Sequence, residues 1–119
     1  MVALRWVLMG LVMALVVGCS SKFRSYDGPE VTHILVFKEK RLMVLMHGNE
    51  QLRAFDFELG FAPIGDKMVE GDGRTPEGHY RIDRKNPNSA FHLSIGISYP
   101  NARDRAHAAA LGKSPGGDI

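Results

Sequence analysis

Cysteine is nearly absent from this sequence, since Cys19 is the only one in 119 residues. A single cysteine cannot form a disulfide within its own chain, so the disulfide-scaffold class is excluded. Cys19 is also a poor candidate for a catalytic nucleophile, because no base or orienting group stands near it in the sequence. Residues 20–119 therefore contain no thiol of their own.

A large charge of one sign is missing as well. The sequence has 15 basic and 13 acidic residues and a formal net charge of +2. Nucleic-acid-binding domains usually carry a clustered basic surface, often with interleaved aromatic residues, and neither is present. The densest basic group is Lys38, Lys40 and Arg41, which we interpret as the solvated turn of a hairpin. No nucleic-acid partner is expected.

Recognisable metal-binding patterns are also lacking. The sequence has five histidines, at His33, His47, His79, His92 and His107. No two of them are spaced i, i+4, and no cysteine accompanies them in the domain, so we expect no zinc site and no cofactor. The spacing of Asp66, Glu70 and Asp72 does not match a calcium-binding loop. We expect these carboxylates to hold a loop through turn hydrogen bonds.

The longest apolar run is too short to cross a membrane. It extends from Trp6 to Val17, twelve residues, or about 18 Å as a helix, whereas a bilayer core needs about 20 apolar residues. With Arg5 before it, this run predicts a signal peptide over residues 1–18.

The sequence at Gly18-Cys19 resembles a bacterial lipobox. It predicts lipidation at Cys19, a tether over residues 19–31 and a membrane-anchored protein in the periplasm. The alternative is an incidental cysteine in an ordinary secretory signal, with export to the periplasm unanchored.

Alternating apolar residues predict a mainly β domain from residue 32 onward. Val31–Phe37, Leu42–Met46 and Gln51–Leu59 favour a three-stranded antiparallel meander joined by short turns. Two further strands are predicted at His79–Arg84, with Tyr80 and Ile82 inward, and at Phe91–Ile97.

One short helix is predicted over residues 101–111. Asn101 can cap it, and Asp104 three residues later is the capping-box partner. Gly112 is expected to terminate the helix.

Gly71-Asp72-Gly73-Arg74-Thr75-Pro76-Glu77-Gly78 is neither helix nor strand by composition, with three glycines and one proline in eight residues. Glycine disfavours both regular structures, and proline lacks an amide donor. The segment therefore predicts a loop of fixed shape. Arg74 within it is either a clamp for a ligand carboxylate or one side of an internal salt bridge to Asp72 or Glu77.

Two histidines have alternative interpretations. His79 and His92 are predicted on the polar faces of neighbouring strands. They either line a substrate cleft with Ser94 and Ser98 or are simply exposed to solvent.

Three segments in order carry a resemblance to a known family. They are the eight residues Gly71–Gly78, the run Ile97-Ser98-Tyr99-Pro100-Asn101, and Pro115-Gly116-Gly117-Asp118-Ile119. Together they resemble the L,D-transpeptidase catalytic domain of bacterial cell-wall enzymes, over residues 32–119. The resemblance implies a β-rich fold and no cofactor. It also implies a Cys thiolate, activated by His, that attacks the L-centre carbonyl of meso-diaminopimelate in a peptidoglycan stem peptide.

In that family the His-Gly and Ser/Thr-x-Gly-Cys motifs follow the segment similar to Pro115–Ile119. We therefore expect a domain that is truncated before its catalytic residues and an inactive fragment, so no catalytic residue is assigned. A natural terminus is the alternative. The substrate-binding candidates are Arg74, His92 and Tyr99.

Two functions from different classes follow. The first is an anchored acyl-transfer enzyme whose partners are peptidoglycan stem peptides and the membrane, with an envelope protein linked to peptidoglycan as a further candidate partner. Cross-linking, protein attachment and hydrolysis stay open within it. The second is a non-catalytic lipoprotein module that binds peptidoglycan.

Overall fold

The computed structural model describes residues 21–119, so the predicted signal helix and Cys19 lie outside the described residues. The described part is mainly β, with two antiparallel sheets and one short helix. The elements are β1 His33–Phe37, β2 Leu42–His47, β3 Glu50–Asp56, β4 Ile82–Asn86, β5 Ser94–Ile97 and α1 Ala102–Ala110. Within residues 21–119 no helix has the length and hydropathy to cross a membrane.

The first sheet is the predicted meander, in the order β1-β2-β3. Val44 lies at its centre, paired with Leu35 on one side and Ala54 on the other, and is only 4% exposed. β-Branched and aromatic residues favour β1, whose sequence is HILVF. β3 ends at Asp56, three residues before the predicted end.

The second sheet is a hairpin in which Ile82 pairs with Ile97 and Asn86 with Ser94. The prediction of its strands was only partly right. β4 begins at Ile82, so Tyr80 lies before it, and β5 has four residues instead of the predicted seven. The Ser89 hydroxyl accepts a hydrogen bond from the Phe91 amide, and its carbonyl accepts one from the His92 amide. This turn replaces the expected first half of the strand.

Helix α1 has the predicted caps. The Asn101 side chain accepts from the Asp104 amide at 3.0 Å, and the Asp104 carboxylate accepts from the Asn101 amide at 2.9 Å. Leu111 is the C-cap, and Gly112 follows with a φ of 65°. This left-handed conformation ends the helix at little cost for glycine.

The core is small. Among the described residues the buried apolar side chains are Val44, Tyr99 and Ala108. By contrast, Phe91 is 91% exposed and Ile95 52%. The apolar face of the second sheet is therefore largely uncovered in this chain.

Candidate functional site

A long loop, residues 60–78, connects the two sheets and is organised around one carboxylate. Asp72 Oδ2 accepts from the backbone amides of Met68 at 2.8 Å and Val69 at 3.1 Å. Its Oδ1 accepts from Lys67 Nζ at 3.0 Å and from the Arg74 amide at 3.1 Å. The turn hydrogen bonds predicted for Asp72 are confirmed.

The electrostatics of Asp72 follow from these four donors. Burial by itself raises the pKa of a carboxyl, but the bonds from Met68, Val69, Lys67 and Arg74 outweigh it and hold the pKa of Asp72 well below its usual range. The partner Lys67 is only 8% exposed, and its ammonium also donates to the Val69 carbonyl at 3.0 Å. The pair is a largely buried charge network, so removing either member leaves an uncompensated charge.

A second lysine fixes the loop to the first sheet. Lys38 Nζ donates to the carbonyls of Gly65 at 2.6 Å and Thr75 at 2.8 Å, and contacts Glu77 Oε1 at 3.0 Å. Its side chain is 14% exposed. Lys38 does lie in the predicted hairpin turn between β1 and β2, but the expectation that it is solvated was wrong, because its ammonium contacts a loop that is distant in sequence.

Asp66 fixes the other side of the loop. Its Oδ1 accepts from the Glu77 amide at 2.7 Å, and its Oδ2 pairs with Arg103 Nη2 of helix α1 at 2.8 Å. Gly73 has a φ of 70°, and a Cβ there would lie 2.5 Å from the ring of Phe61. Only glycine combines that conformation with such close packing.

Behind the loop lies a tyrosine pair. The Tyr80 and Tyr99 rings are 6.1 Å apart and tilted by 57°. Tyr80 donates its hydroxyl to the Asp104 carboxylate at 2.9 Å. Burial and then this bond raise the pKa of Tyr80 above its ordinary value, and burial followed by the nearby Asp104 charge raises the pKa of Tyr99. Both phenols are therefore hydrogen-bond donors at neutral pH.

The three segments that carry the family resemblance meet here. Tyr99 donates its hydroxyl to the Pro115 carbonyl at 2.6 Å, and the Ile97 amide donates to the Ile119 carbonyl at 2.7 Å. The Glu70 amide, next to the Gly-rich loop, donates to Ser114 at 2.8 Å. One surface therefore combines the loop, β5 with its following residues, and residues 114–119.

The predicted substrate-binding residues do not lie together, and Arg74 is the first of them. Arg74 is exposed, and no ion pair within residues 21–119 includes it; Asp72 pairs with Lys67 and Glu77 with Lys38. The internal salt bridge considered for Arg74 is therefore wrong.

His92 and Tyr99 lie in different surroundings. His92 is exposed in the turn before β5 with a φ of 84°, and Tyr99 is 3% exposed. Among the described residues no hydrogen bond joins any two of Arg74, His92 and Tyr99. A substrate-binding role for each stays a prediction.

The placement of His79 and His92 on facing strands is contradicted. Both lie outside β4 and β5. His79 precedes β4, which begins at Ile82, and His92 lies in the turn at Ser89, so that β5 begins two residues after it. Lys38 and Lys67 were not predicted as organising residues. The only available signal was the apolar surroundings of Lys67, between Ile64 and Val69. In residues 21–119, no group of three His, Cys, Asp or Glu side chains is arranged to hold a metal.

Comparisons with known proteins agree with this arrangement. The family model of the YkuD L,D-transpeptidase catalytic domain matches residues 31–117. Two Escherichia coli proteins, from strain K12 and from O157:H7, both named "Putative L,D-transpeptidase YafK", are each 36% identical over 84 residues. The match covers 63% of this chain and 33% of each relative, so the chain spans about a third of their length. No solved structure matches the chain significantly.

The match to the family model covers most of the chain and includes the Gly-rich loop, the tyrosine pair and helix α1. This chain belongs to the L,D-transpeptidase catalytic domain family.

Proposed function

We propose that this chain is the scaffold part of a cell-wall acyl-transfer enzyme that acts on meso-diaminopimelate stem peptides in the periplasm. The observation that carries the proposal is that residues 97–101 and 114–119 are hydrogen-bonded to each other, and that Ser114 also bonds to Glu70, the residue directly before the Gly-rich loop. A fixed surface of this kind positions a substrate without loss of loop entropy on binding.

The nucleophile is not in this part of the enzyme. Residues 20–119 contain no cysteine, and acyl transfer of this type needs a thiolate, a base and an oxyanion hole close together. We propose that a segment following the matched residues supplies them, and that residues 1–18 are a signal peptide, 19–31 a tether and 32–119 the scaffold. Residues 20–119 alone are then inactive.

Arg74 is the residue of the loop best suited to contact substrate. Its backbone amide donates a hydrogen bond to the Asp72 carboxylate, which fixes the backbone at this position. Its exposed guanidinium has no carboxylate partner within residues 21–119. A stem peptide offers carboxylates, which a guanidinium binds bidentately. His92 is exposed in the turn between the two strands of the second sheet. Tyr99 could contact substrate only if its hydrogen bond to the Pro115 carbonyl broke and the segment at Pro115 moved away.

The test compares two proteins purified without the signal peptide: residues 20–119, and the product of the whole reading frame if codons after 119 encode His-Gly and Gly-Cys motifs. With disaccharide-tetrapeptide as substrate, we expect turnover by the longer protein and none by the shorter one. Replacing the additional cysteine by alanine is the control. Turnover by residues 20–119 would contradict the proposal, as would an inactive longer protein.

The membrane anchor is a separate proposal. We propose that Cys19 is diacylated, because Gly18-Cys19 completes a lipobox-like site, and that more than one acyl chain gives firm anchoring. The protein should incorporate labelled palmitate and sediment with membranes, whereas Cys19→Ala should do neither. Wild-type protein that is processed elsewhere and unlabelled contradicts this anchor.

The second candidate is a non-catalytic module that binds peptidoglycan. The absence of any cysteine from residues 20–119 is the observation that favours it. An authentic stop codon after residue 119 in the gene, with retention of the purified chain on isolated cell walls, would support this candidate over the enzyme.

For the enzyme, cross-linking, protein attachment and hydrolysis are distinguished by the acceptor used in the turnover assay.

A further inference from the structure

A groove separate from the Gly-rich loop lies between the tether and the first sheet. It has a volume of about 440 Å³ and is lined by Tyr26, Gly28, Pro29, Val31, Leu45, Leu52, Arg53 and Phe55. This volume is within the range that small ligands occupy.

The tether side of the groove is held in place. His47 Nδ1 lies 2.7 Å from the Glu30 carbonyl, and the Thr32 amide donates to Met46 at 2.8 Å. The Gly48 amide donates to the Thr32 hydroxyl at 2.9 Å. These contacts attach the end of the tether to the turn after β2, so the tether forms a wall of the groove.

Tyr26 presents a ring face rather than a hydroxyl. Its hydroxyl donates to the Pro29 carbonyl at 2.5 Å, and its ring lies so close to Gly28 that a Cβ there would be 2.9 Å or less from three of its atoms. The side chain is nevertheless 65% exposed. The result is a fixed aromatic surface whose polar group is already bonded.

The sheet side supplies a second ring and a cation. Phe55 is 40% exposed, and the Arg53 guanidinium lies 5.8 Å from its ring centroid. Arg53 and Phe55 are two residues apart on β3, so they share one face of the sheet. Arg53 is the only charged residue of the lining, and no acidic group within residues 21–119 forms an ion pair with it.

These features define the ligand chemistry. The exposed Tyr26 ring and the partly exposed Phe55 ring beside Arg53 favour a partner with a flat apolar surface. A guanidinium, which only donates, requires oxygen acceptors. An N-acetylated pyranose has both, whereas a stem peptide of alanine, glutamate and diaminopimelate has acceptors but no ring. We propose that this groove binds the glycan strand of peptidoglycan, a subsite that rests on the proposed cell-wall function.

The test uses the product of the whole reading frame without its signal peptide. It is titrated with a β-1,4-linked N-acetylglucosamine tetrasaccharide, and binding is monitored by calorimetry and by NMR of the aromatic protons. We expect saturable binding with shifts at Tyr26 and Phe55. Tyr26→Ala should weaken it about tenfold, because one stacking surface is lost. Tyr26 lies outside both sheets, so its replacement does not threaten the fold. Phe91→Ala, which removes a more exposed ring elsewhere, should have no effect.

Arg53→Gln is the second variant. It should weaken binding of the tetrasaccharide, while the NMR signals of the first sheet in the free protein stay unchanged. Absence of binding, equal affinity in the Tyr26 and Phe91 variants, or displacement of the sugar by a free stem tripeptide would each overturn the proposal. Glycan binding requires no cysteine, whereas acyl transfer does. A protein that transfers acyl groups but does not bind the tetrasaccharide would therefore overturn this proposal alone and leave the proposed function standing.

Discussion

At the scale of single residues, the shape of the Gly-rich loop depends on two lysines, Lys67 and Lys38, that are not part of its sequence motif. Composition predicted a loop of fixed shape and turn hydrogen bonds from its carboxylates, and Asp72 accepts three such bonds from backbone amides and a fourth from the Lys67 ammonium. It could not predict Lys38 as a partner, because Lys38 reaches the loop through tertiary folding, nor that Lys67 within the loop would be nearly buried. An exposed Lys and a nearly buried one look identical in sequence.

Asp72→Asn should loosen the loop, since it removes the charge opposite the nearly buried Lys67. Breaking such a pair costs about 3 kcal/mol, or about a hundredfold in the local opening equilibrium. Amide hydrogen exchange at Met68 and Val69 measures it directly. Asp56→Asn, at an exposed carboxylate at the end of β3, is the matched control. Unchanged protection in the Asp72 variant would show that the network does not hold the loop.

The same carboxylate predicts a pH dependence. Because the pKa of Asp72 is lower in the folded chain than its unfolded value of about 3.9, its contribution is fully present above that value. It is lost as the pH falls toward the folded pKa. Protection factors at Met68 and Val69 should therefore be constant from pH 7 to about 4 and decline below it. Decline already near pH 6 contradicts the assignment to Asp72.

Tyr80 predicts the opposite dependence. Burial and the bond to Asp104 raise the pKa of Tyr80, so the unfolded chain ionises first, and stability is lost as the pH rises above about 10. Phenolate absorbance during alkaline titration should show ionisation beyond the ordinary range. Asp104→Asn should lower the pKa of Tyr80, because the negative acceptor is gone. An unchanged titration curve would exclude that coupling.

At the scale of elements, predictability followed the range of the interactions that form each element. The meander and the caps of α1 depend on neighbouring residues, and both were predicted correctly. The strand from Phe91 to Ile97 was predicted only from the alternation of apolar and polar residues. Its first three residues instead belong to the turn at Ser89, and β5 begins at Ser94. The site was less predictable, since the placement of Arg74, His92 and Tyr99 depends on how the two sheets and residues 114–119 meet.

Helix α1 should be sensitive to its N-cap. It has nine residues, short enough that an isolated helix is marginal in water. Asn101→Ala removes both the bond to the Asp104 amide and the capping box, at a cost of about 1 kcal/mol. Exchange of the helix amides should accelerate about fivefold. Asn88→Ala, in an exposed turn, is the control, and equal behaviour of the two variants would mean that the cap is not needed.

The contact between the β1–β2 turn and the loop has its own test. Lys38→Met keeps the length of the side chain but removes its three bonds to Gly65, Thr75 and Glu77. We expect trypsin to cleave after Arg74 about ten times faster, because the carbonyls lose a charged donor. Lys40→Met, on the same hairpin turn, should leave that rate unchanged. A similar rate in both variants would assign Lys38 no role in loop position.

At the scale of the whole molecule, exposed apolar surface dominates. Fourteen large apolar side chains, from Phe23 to Leu111, are exposed among the described residues, whereas the buried apolar ones are Val44, Tyr99 and the small Ala108. Uncovered faces and open strand edges recruit other chains. Residues 20–119 should therefore bind a hydrophobic dye and self-associate in sedimentation experiments. A monomer with a sharp two-state thermal transition would contradict this expectation and favour the binding module.

The central claim is that this chain provides the scaffold of an L,D-transpeptidase but not its reactive thiol. Intact-mass spectrometry after incubation with a carbapenem, which acylates the cysteine of such enzymes, tests it most directly. We predict no added mass on residues 20–119, which contain no cysteine. One equivalent should be added on the longer gene product and lost when its additional cysteine is replaced. A covalent adduct on residues 20–119, or none on the longer protein, would contradict the account.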